Sequence, residues 1–518
     1  MDRIRCRSLP WLPGSEYSIL LEAWAGPHTP HACYTGEFFE ETLMRQPVLL
    51  RWLRAMLVFL WAGLAMAQAQ LSRDLRQAID NVVGDALANT DVPSVSVAVV
   101  KDGQVVYLKA YGEARLDPRL EAKSEMRYSI GSISKQFTAA AILLLAEQGK
   151  LSLDDRVGKF LPRLTRANEV TIRQLLSHTS GYQDYWPQDY VMPEMLQAVT
   201  PQQILDTWAG KPLDFDPGTK WQYSNTNFVI AGLIVEKASG MPLLEFLQKK
   251  IFTPLAMNSV ANVDKEKLGA TDASGYMRYA LGPLRPAPKE GPGWLFAAGE
   301  LAMPVGDLAK WDISLMDRKL MKPASYEELE HEVVLKNGLG TNYGLGVRIR
   351  SEFGHRALSH GGEVSGFTAH NLVFPDERVA VATLVNQDAV ETAQEIARAI
   401  APLLLASVDA EASNKLEQAR AIFLGLEHGT IDRSLFTDNA NSYFSESALR
   451  DIAGSLEPLG TPQEFVQTSQ ALRGGMKLRV YQIKFPDKTL EAWTYEMPDR
   501  KLEQYQLIPR PVGCSGSN

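Results

Sequence analysis

The chain has few cysteines and no surplus of basic residues, and each shortage excludes a class of protein. Three cysteines in 518 residues, Cys6, Cys33 and Cys514, are too few and too scattered for a disulfide framework or a zinc site. The formal net charge is -8 and no long basic stripe occurs, so a nucleic-acid partner is not indicated. The remaining composition, 45% hydrophobic and 22% charged, is typical of a globular protein.

Two common hydrolase motifs are also missing. No Gly-x-Ser-x-Gly elbow occurs, which disfavours an α/β-hydrolase. No two histidines have the helical spacing of a zinc protease. The sequence therefore predicts no metal centre, and we expect no cofactor.

Residues 44–69 have the pattern of a secretory signal peptide. Arg45, Arg51 and Arg54 precede an uncharged, mostly apolar segment at 55–65. Ala-Met-Ala follows at 65–67, so we expect cleavage after residue 67 or 69. The apolar segment is too short to favour a membrane span. The protein is therefore expected to be exported, either to the periplasm or into the medium.

Residues 1–43 precede this signal and lack helical or strand periodicity. We interpret them as a start-site extension upstream of Met44, or as a disordered tail before an uncleaved signal anchor. Membrane contact is expected only in the second case. After cleavage Cys514 alone would remain, so no intrachain disulfide is expected.

Hydrophobic periodicity divides the main body, residues 70–406, into a sheet interrupted by helices. A helical pattern covers 71–87, and alternating segments then flank Asp102-Gly103, a type I′ hairpin signal. Residues 150–340 alternate helical patterns with long loops rich in Pro and Gly. Strand patterns return after residue 342. This order predicts an α+β domain in which helices interrupt an antiparallel sheet.

A second, smaller domain is expected at the carboxyl end. The polar segment 407–415 is interpreted as a linker, and 416–518 as a small α+β domain. Two Pro-Asp turns separate three alternating segments there, which predicts an antiparallel meander. No catalytic constellation is visible in this part of the chain.

Three motifs within the main body point to nucleophilic chemistry. Ser132 and Lys135 are three residues apart at the start of an apolar helical segment, so both side chains share one face. Tyr223 and Asn225 follow a Pro-Gly turn and precede another apolar helix, and His360-Gly361-Gly362 opens the returning strands. Each motif alone is weak, but the three in this order form a strong combined signal.

The sequence resembles the serine β-lactamase-related family over about residues 71–405. That family comprises class C β-lactamases and penicillin-binding D-alanyl-D-alanine carboxypeptidases, D-aminopeptidases and related esterases. The resemblance implies a β-lactamase/transpeptidase-like fold, an antiparallel sheet flanked by helices plus a helical half, with the site between them. It also implies that Ser132 attacks an ester or amide carbonyl and forms an acyl-enzyme that water hydrolyses.

The family roles fit the chemistry of these residues. A serine needs a neighbouring base, and Lys135 can be that base only when burial and nearby positive potential make it neutral. Tyr223 would relay a proton to the leaving group, and Asn225 would hold the substrate amide. Backbone N–H groups of Ser132 and, by family geometry, Glu363 would stabilise the oxyanion. Gly361 and Gly362 would let the substrate backbone approach the strand.

His360 stands where the antibiotic-binding relatives have a lysine that attracts the substrate carboxylate. A mostly neutral histidine weakens that attraction, and low pH would restore part of it. We therefore favour hydrolysis of an ester, an amide or a D-amino acid peptide. A β-lactamase or penicillin-binding carboxypeptidase is the alternative, and a β-lactam or peptidoglycan sensor without turnover is the second. The physiological substrate and the oligomeric state stay open.

Overall fold

The computed structural model describes residues 71–188, 190–405 and 411–510. The predicted extension 1–43, the predicted signal peptide 44–69 and the first part of the predicted linker lie outside the described residues. The α-helices run over α1 Arg73–Thr90, α2 Ser134–Glu147, α3 Ile172–Leu176, α4 Pro201–Ile204, α5 Asn225–Ser239, α6 Leu243–Leu247, α7 Val305–Asp317, α8 Pro323–Glu330, α9 Thr392–Leu404, α10 Ala412–Glu427, α11 Asp438–Tyr443 and α12 Glu446–Leu456.

The strands build one large sheet and several small ones. In chain order they are β1 Ser94–Lys101, β2 Gln104–Leu116, β3 Arg119–Glu121, β4 Tyr128–Ser129, β5 Ala261–Asn262, β6 Tyr276–Met277, β7 Arg285–Pro286, β8 Leu301–Met303, β9 Arg348–Glu352, β10 His355–Val364, β11 Phe367–Phe374, β12 Val379–Val385, β13 Glu464–Arg473, β14 Met476–Lys484, β15 Thr489–Glu496 and β16 Leu502–Arg510.

The main sheet joins both ends of the hydrolase domain. Its order is β3-β2-β1-β12-β11-β10-β9, and every neighbouring pair is antiparallel. Asp102 and Gly103 connect β1 to β2 with φ values of 53° and 74°. Both values are positive, as a type I′ turn requires, so the hairpin prediction is confirmed. Because β1 pairs with β12, everything between the hairpin and the returning strands forms an insertion.

Alternation along the central strands gives each face of the sheet its own core. On β1, Val95, Val97 and Val99 belong to the cluster that includes Ile79 of α1 and Ile396 of α9. Successive side chains of a strand point to opposite faces, and the intervening Ala98 and Val100 belong to the larger cluster around α2 and α7. The antiparallel sheet flanked by helices is therefore confirmed for this domain.

The inserted helical part packs against α2, the helix that begins at Ser134 after the turn that carries Ser132. Helices α5 and α6 contribute buried side chains to the same large core as α2. Among the described residues no single helix is long and apolar enough to cross a bilayer. The pair Asn225–Ser239 and Leu243–Phe252, bent by 71°, passes that test of length and composition only when taken together.

The carboxyl-terminal domain contains four strands where the sequence analysis predicts three. Strands β13 to β16 form a sheet in chain order, and β13 precedes the predicted meander. Gly474 and Gly475, both with positive φ, make the turn between β13 and β14. Helix α10 begins at Ala412, so residues 412–415 of the predicted linker are helical.

Candidate active site

A single tight turn carries the serine at the edge of the main core. Residues Gly131–Ile133 form a 3₁₀ turn, and the α-helix begins only at Ser134, two residues later than the sequence pattern indicates. The two side chains are still in contact despite the later helix start, since Lys135 Nζ lies 2.8 Å from Ser132 Oγ. The turn and the first turn of α2 therefore bring hydroxyl and amine together.

Lys135 is fully buried, and its amine has two close oxygen neighbours. Its exposed fraction is 0%, and Nζ donates a hydrogen bond of 2.8 Å to the carbonyl oxygen of Ala298. Burial lowers the pKa of Lys135 from 10.5 to about 7, and the negative charge of Asp184 opposes this shift. A large share of Lys135 is therefore neutral at neutral pH, as a general base must be.

His178 supports the segment that carries Tyr223. The ring of His178 lies 4.2 Å from the ring of Tyr223, centroid to centroid, and its Nδ1 accepts the backbone N–H of Ser224 at 3.2 Å. Burial lowers the pKa of His178 well below 6.5, so the ring is a neutral scaffold. Burial also raises the pKa of Tyr223, which keeps its phenol protonated. A hydrogen bond with Ser132 opposes that shift.

Asn225 is the first residue of α5. It is hydrogen-bonded to Asp184, an acidic residue that the sequence analysis did not identify. The Asp184 carboxylate accepts the backbone N–H of Asn225 at 2.9 Å and its side-chain amide at 3.3 Å. It also accepts the backbone N–H of Trp186 at 3.1 Å. Asp184 follows the Leu-Leu-Ser-His-Thr-Ser-Gly segment in a loop, and no local pattern marked it.

The serine turn and β10 approach each other more closely than side chains would permit. A Cβ on Gly131 would lie 2.5 Å from the backbone nitrogen of Glu363, and Gly131 has a φ of +50°. A Cβ on Gly362 would overlap the carbonyl oxygen of Ile130 and lie 3.2 Å from the Ser132 nitrogen. The two backbone nitrogens assigned to the oxyanion, those of Ser132 and Glu363, therefore lie on adjoining segments.

This packing gives Gly362 a different role from the one predicted for both glycines. Gly362 is buried, and the Ser132 turn occupies the space beside it, not the substrate. Gly361 is exposed, and the nearest atom to a Cβ there lies 3.8 Å away. Only Gly361 has the open surroundings that approach of a substrate backbone requires.

His360 lines the cleft but is held between two protein groups. Its Nδ1–H donates to the carbonyl oxygen of Gly361 at 2.5 Å, and its Nε2 accepts from the Tyr343 hydroxyl at 2.8 Å. Burial, reinforced by the positive charge of Lys135, lowers the pKa of His360 to about 3. The ring is neutral across the working pH range, so the expectation that mild acid charges it is wrong.

Arg348 supplies the cation that His360 does not. It is half-buried on β9, lines the cleft, and forms no ion pair with any residue that the structure describes. Its guanidinium carbon lies 5.9 Å from the Trp221 ring centroid. Arg348 could have been predicted from the alternation in Arg348-Ile349-Arg350, because this strand pattern places both arginines on one face.

The assembled residues border one open cleft of about 1090 Å³. Its lining includes Ser132, Tyr223, Asn225, His360, Gly361 and Glu363, the residues that the three motifs and the resemblance single out. Among residues 71–188, 190–405 and 411–510, no group of three or more His, Cys, Asp or Glu side chains could hold a metal ion.

Comparisons with known proteins match the same part of the chain. A family model described as Beta-lactamase matches residues 79–405. Penicillin-binding protein 4* of Bacillus subtilis (strain 168) is 30% identical over 308 residues, which are 57% of this chain and 68% of that protein. A D-aminopeptidase of Brucella anthropi is 27% identical over 406 residues, 74% of this chain and 76% of that protein.

A solved structure extends the likeness over more of the chain. The octameric penicillin-binding protein homologue from Pyrococcus abyssi aligns with a TM-score of 0.56 and 26% identity. The alignment covers 83% of this chain and 99% of that one. All of the motif residues described above fall within the family match.

Proposed function

This chain belongs to the beta-lactamase family, and we propose that it hydrolyses amide or ester bonds of amino acid derivatives through an acyl-enzyme on Ser132. The observation that carries the proposal is the 2.8 Å contact between Ser132 Oγ and a buried Lys135 amine whose pKa is lowered to about 7. A serine beside a base that is neutral near neutral pH is an activated nucleophile.

In the acylation step, neutral Lys135 takes the Ser132 proton while Oγ forms a bond to the substrate carbonyl carbon. The backbone N–H groups of Ser132 and Glu363 stabilise the resulting oxyanion, as fixed donors do in acyl transfer. The bond to the leaving group then breaks, and the Tyr223 phenol protonates the leaving atom. Lys135 returns its proton to the phenolate, which restores both groups.

Water completes the cycle by attacking the acyl-enzyme carbonyl. A proton of the water passes to neutral Lys135, and the bond to Ser132 Oγ breaks as Lys135 gives that proton to the departing oxygen. Lys135 Nζ lies 5.1 Å from the Tyr223 ring centroid, so the two groups are near enough to exchange protons through Ser132 or one water. The high pKa of Tyr223 suits a proton donor better than a permanent base.

The D-aminopeptidase relative supports an amide or peptide bond as the bond that is cleaved. His360 is consistent with this choice, because its neutral ring offers no fixed charge to a lactam carboxylate. Arg348 favours a second candidate, a penicillin-binding carboxypeptidase, since an unpaired arginine beside Tyr223 could bind a carboxylate on the leaving group.

Covalent labelling tests the proposal directly. A fluorophosphonate should label Ser132, with the modified peptide identified by mass spectrometry, and Ser132→Ala should remove both label and turnover. Ser134→Ala is the matched control, because Ser134 is buried and its Oγ accepts the Leu301 N–H within the core. Label on another serine, or none at saturating reagent, would contradict the mechanism.

We also propose that the protein is exported, on the basis of the arginine-flanked apolar segment and the Ala-Met-Ala site at 65–67. Sequencing the amino terminus of protein recovered outside the cytoplasm tests this. A mature terminus at residue 68 or 70 is expected, and recovery only of chains that retain residues 44–69 would contradict cleavage.

A further inference from the structure

The Asp184 carboxylate lies in the cleft, where the charge of Lys135 acts on it without a direct ion pair. It lines the cleft together with Ser132 and Asn225, and it forms no ion pair with any described residue. Its hydrogen bonds come from neutral donors, the backbone N–H groups of Trp186 and Asn225 and the Asn225 side-chain amide. A half-buried carboxylate whose hydrogen-bond donors are all neutral gains from pairing with a cation.

Asp184 also determines which end of the Asn225 amide faces the substrate. A carboxylate only accepts hydrogen bonds, so the Asn225 atom 3.3 Å from Asp184 is the amide nitrogen. The carbonyl oxygen Oδ1 of Asn225 is therefore left for a ligand. This wall of the cleft combines a negative charge with a free acceptor, a combination that suits an N–H donor with positive charge.

We propose that Asp184 makes the cleft selective for acyl groups that carry a protonated primary amine next to the scissile carbonyl. The substrates would be amino acid amides, esters or peptides with a free amino terminus. This inference rests on the proposed function, whose nucleophile and base it leaves unchanged. Asp184 would pair with the substrate ammonium, and Asn225 Oδ1 would accept one of its N–H groups.

The resting state of the base permits a cationic substrate. When Lys135 is neutral it does not repel an ammonium group, and Asp184 attracts one. Burial raises the pKa of Asp184, and pairing with an ammonium would offset part of that desolvation cost. Asp184 also attracts the proton on Lys135. Replacing Asp184 would therefore alter the turnover of every substrate through Lys135. The test has to separate this general effect from the loss of selectivity for the amine.

Paired substrates make this separation. D-alanine p-nitroanilide and its L-enantiomer carry the free amine, N-acetyl-alanine p-nitroanilide lacks the charge, and the α-hydroxy analogue replaces the amine by a neutral group of similar size. The full native chain should prefer the amine over both neutral analogues by tenfold or more in kcat/KM. In Asp184→Asn this preference should fall at least tenfold, chiefly through KM. Any effect common to all substrates cancels in the ratio.

Asp388→Asn is the matched control, because Asp388 also lines the cleft but accepts the backbone N–H of Gly366. Its preference ratio should equal that of the native chain. Equal losses on amine and neutral substrates in Asp184→Asn would overturn the proposal, as would a native chain without preference for the amine. The comparison of amine and neutral substrates on the native chain can overturn the proposal even if Asp184→Asn fails to fold. If fluorophosphonate did not label Ser132 in the native chain, the proposed function would be contradicted instead.

Discussion

Lys135 is the residue on which the proposed reaction depends, because its protonation state decides whether Ser132 is activated. Its amine is buried between Ser132 Oγ and the Ala298 carbonyl oxygen. With the Ala298 oxygen accepting one N–H, the lone pair of the neutral amine is free to face the serine hydroxyl. Burial thus lowers the pKa of Lys135, and the hydrogen bond to Ala298 orients the amine toward Ser132.

Replacing Lys135 by arginine should reduce kcat by about 10²–10⁴-fold, the usual contribution of a general base, because arginine stays protonated. Native kcat/KM should rise with pH through about 7, since the deprotonated form of Lys135 is the active one and its pKa is lowered to that value. The Lys135→Arg variant should lack this limb.

Lys237→Arg serves as the control, because Lys237 is exposed on α5 and donates to the Phe160 carbonyl oxygen, away from the cleft lining. It should keep native rates and the native pH profile. If Lys135→Arg retained more than a tenth of native activity, the lysine would act only through its charge.

We expect Arg348 to provide the charge preference that the sequence analysis attributes to position 360. An arginine about 4 Å from a carboxylate contributes on the order of 1–4 kcal/mol, depending on the local dielectric. Arg348→Gln should therefore lower kcat/KM by roughly tenfold or more for substrates whose leaving group carries a carboxylate. Neutral analogues should be unaffected, and steady-state kinetics on matched esters and lactams measure the difference.

The neighbouring Arg350, exposed on the same strand, provides the comparison. Arg350→Gln should have a smaller effect, because solvent screens an exposed charge. Equal losses on charged and neutral substrates in Arg348→Gln would indicate that Arg348 only packs against Trp221.

At the scale of elements, the site depends on how closely the Ser132 turn packs against β10. The turn lies directly before α2, and β10 is the second strand from one edge of the main sheet. Glycines at 131 and 362 permit the two backbones to meet. The oxyanion donors therefore belong to rigid elements, which is what preorganised stabilisation of a transition state requires.

Gly362→Ala should separate these elements, because the added Cβ would overlap the Ile130 carbonyl oxygen. We expect kcat to fall by about 10²-fold or more, as when an oxyanion donor is lost. Overpacking should lower the free energy of unfolding by about 1–3 kcal/mol. Denaturant unfolding and ester hydrolysis measure the two effects.

Gly361→Ala is the stability control for this experiment. Its Cβ would have no neighbour closer than 3.8 Å, so the free energy of unfolding should stay close to native. Native kcat in Gly362→Ala would show that the turn and strand can separate without disturbing the oxyanion donors.

At the scale of the whole molecule, residues 71–405 and residues 411–510 contribute to separate hydrophobic clusters. A third hydrophobic cluster, besides the two on the faces of the main sheet, is formed by side chains of α10, the helices after it and strands β13 to β16. The clusters of the main sheet contain no residue beyond 405 among the described residues. Every residue assigned to the reaction lies before that point.

A chain that ends at residue 405 should fold and keep at least part of its hydrolase activity. The reason is that neither core of the main sheet loses a buried side chain. Thermal unfolding and ester hydrolysis of the shortened protein, compared with the full chain, measure this. An insoluble or inactive product would mean that the carboxyl-terminal domain completes the core or the cleft.

The sequence alone determined the features that depend on local chemistry. The Asp102-Gly103 turn, the apolar helix after Ser132 and the spacing of Ser132 and Lys135 follow from backbone preferences and short-range periodicity. The family match confirms the fold class that these motifs indicated. Strand β13 escaped prediction because most of its side chains are exposed, so it lacks a clear hydrophobic alternation.

Only the tertiary structure decided which distant groups share the cleft. Asp184, Ala298 and Arg348 line the same cleft as Ser132 although they come from three separate segments, and in sequence each is an ordinary loop or strand residue. The pKa of Lys135 and the neutrality of His360 likewise arise from burial by residues remote in the chain. Local patterns encode backbone conformation, whereas charge and proton affinity depend on what packing removes from water.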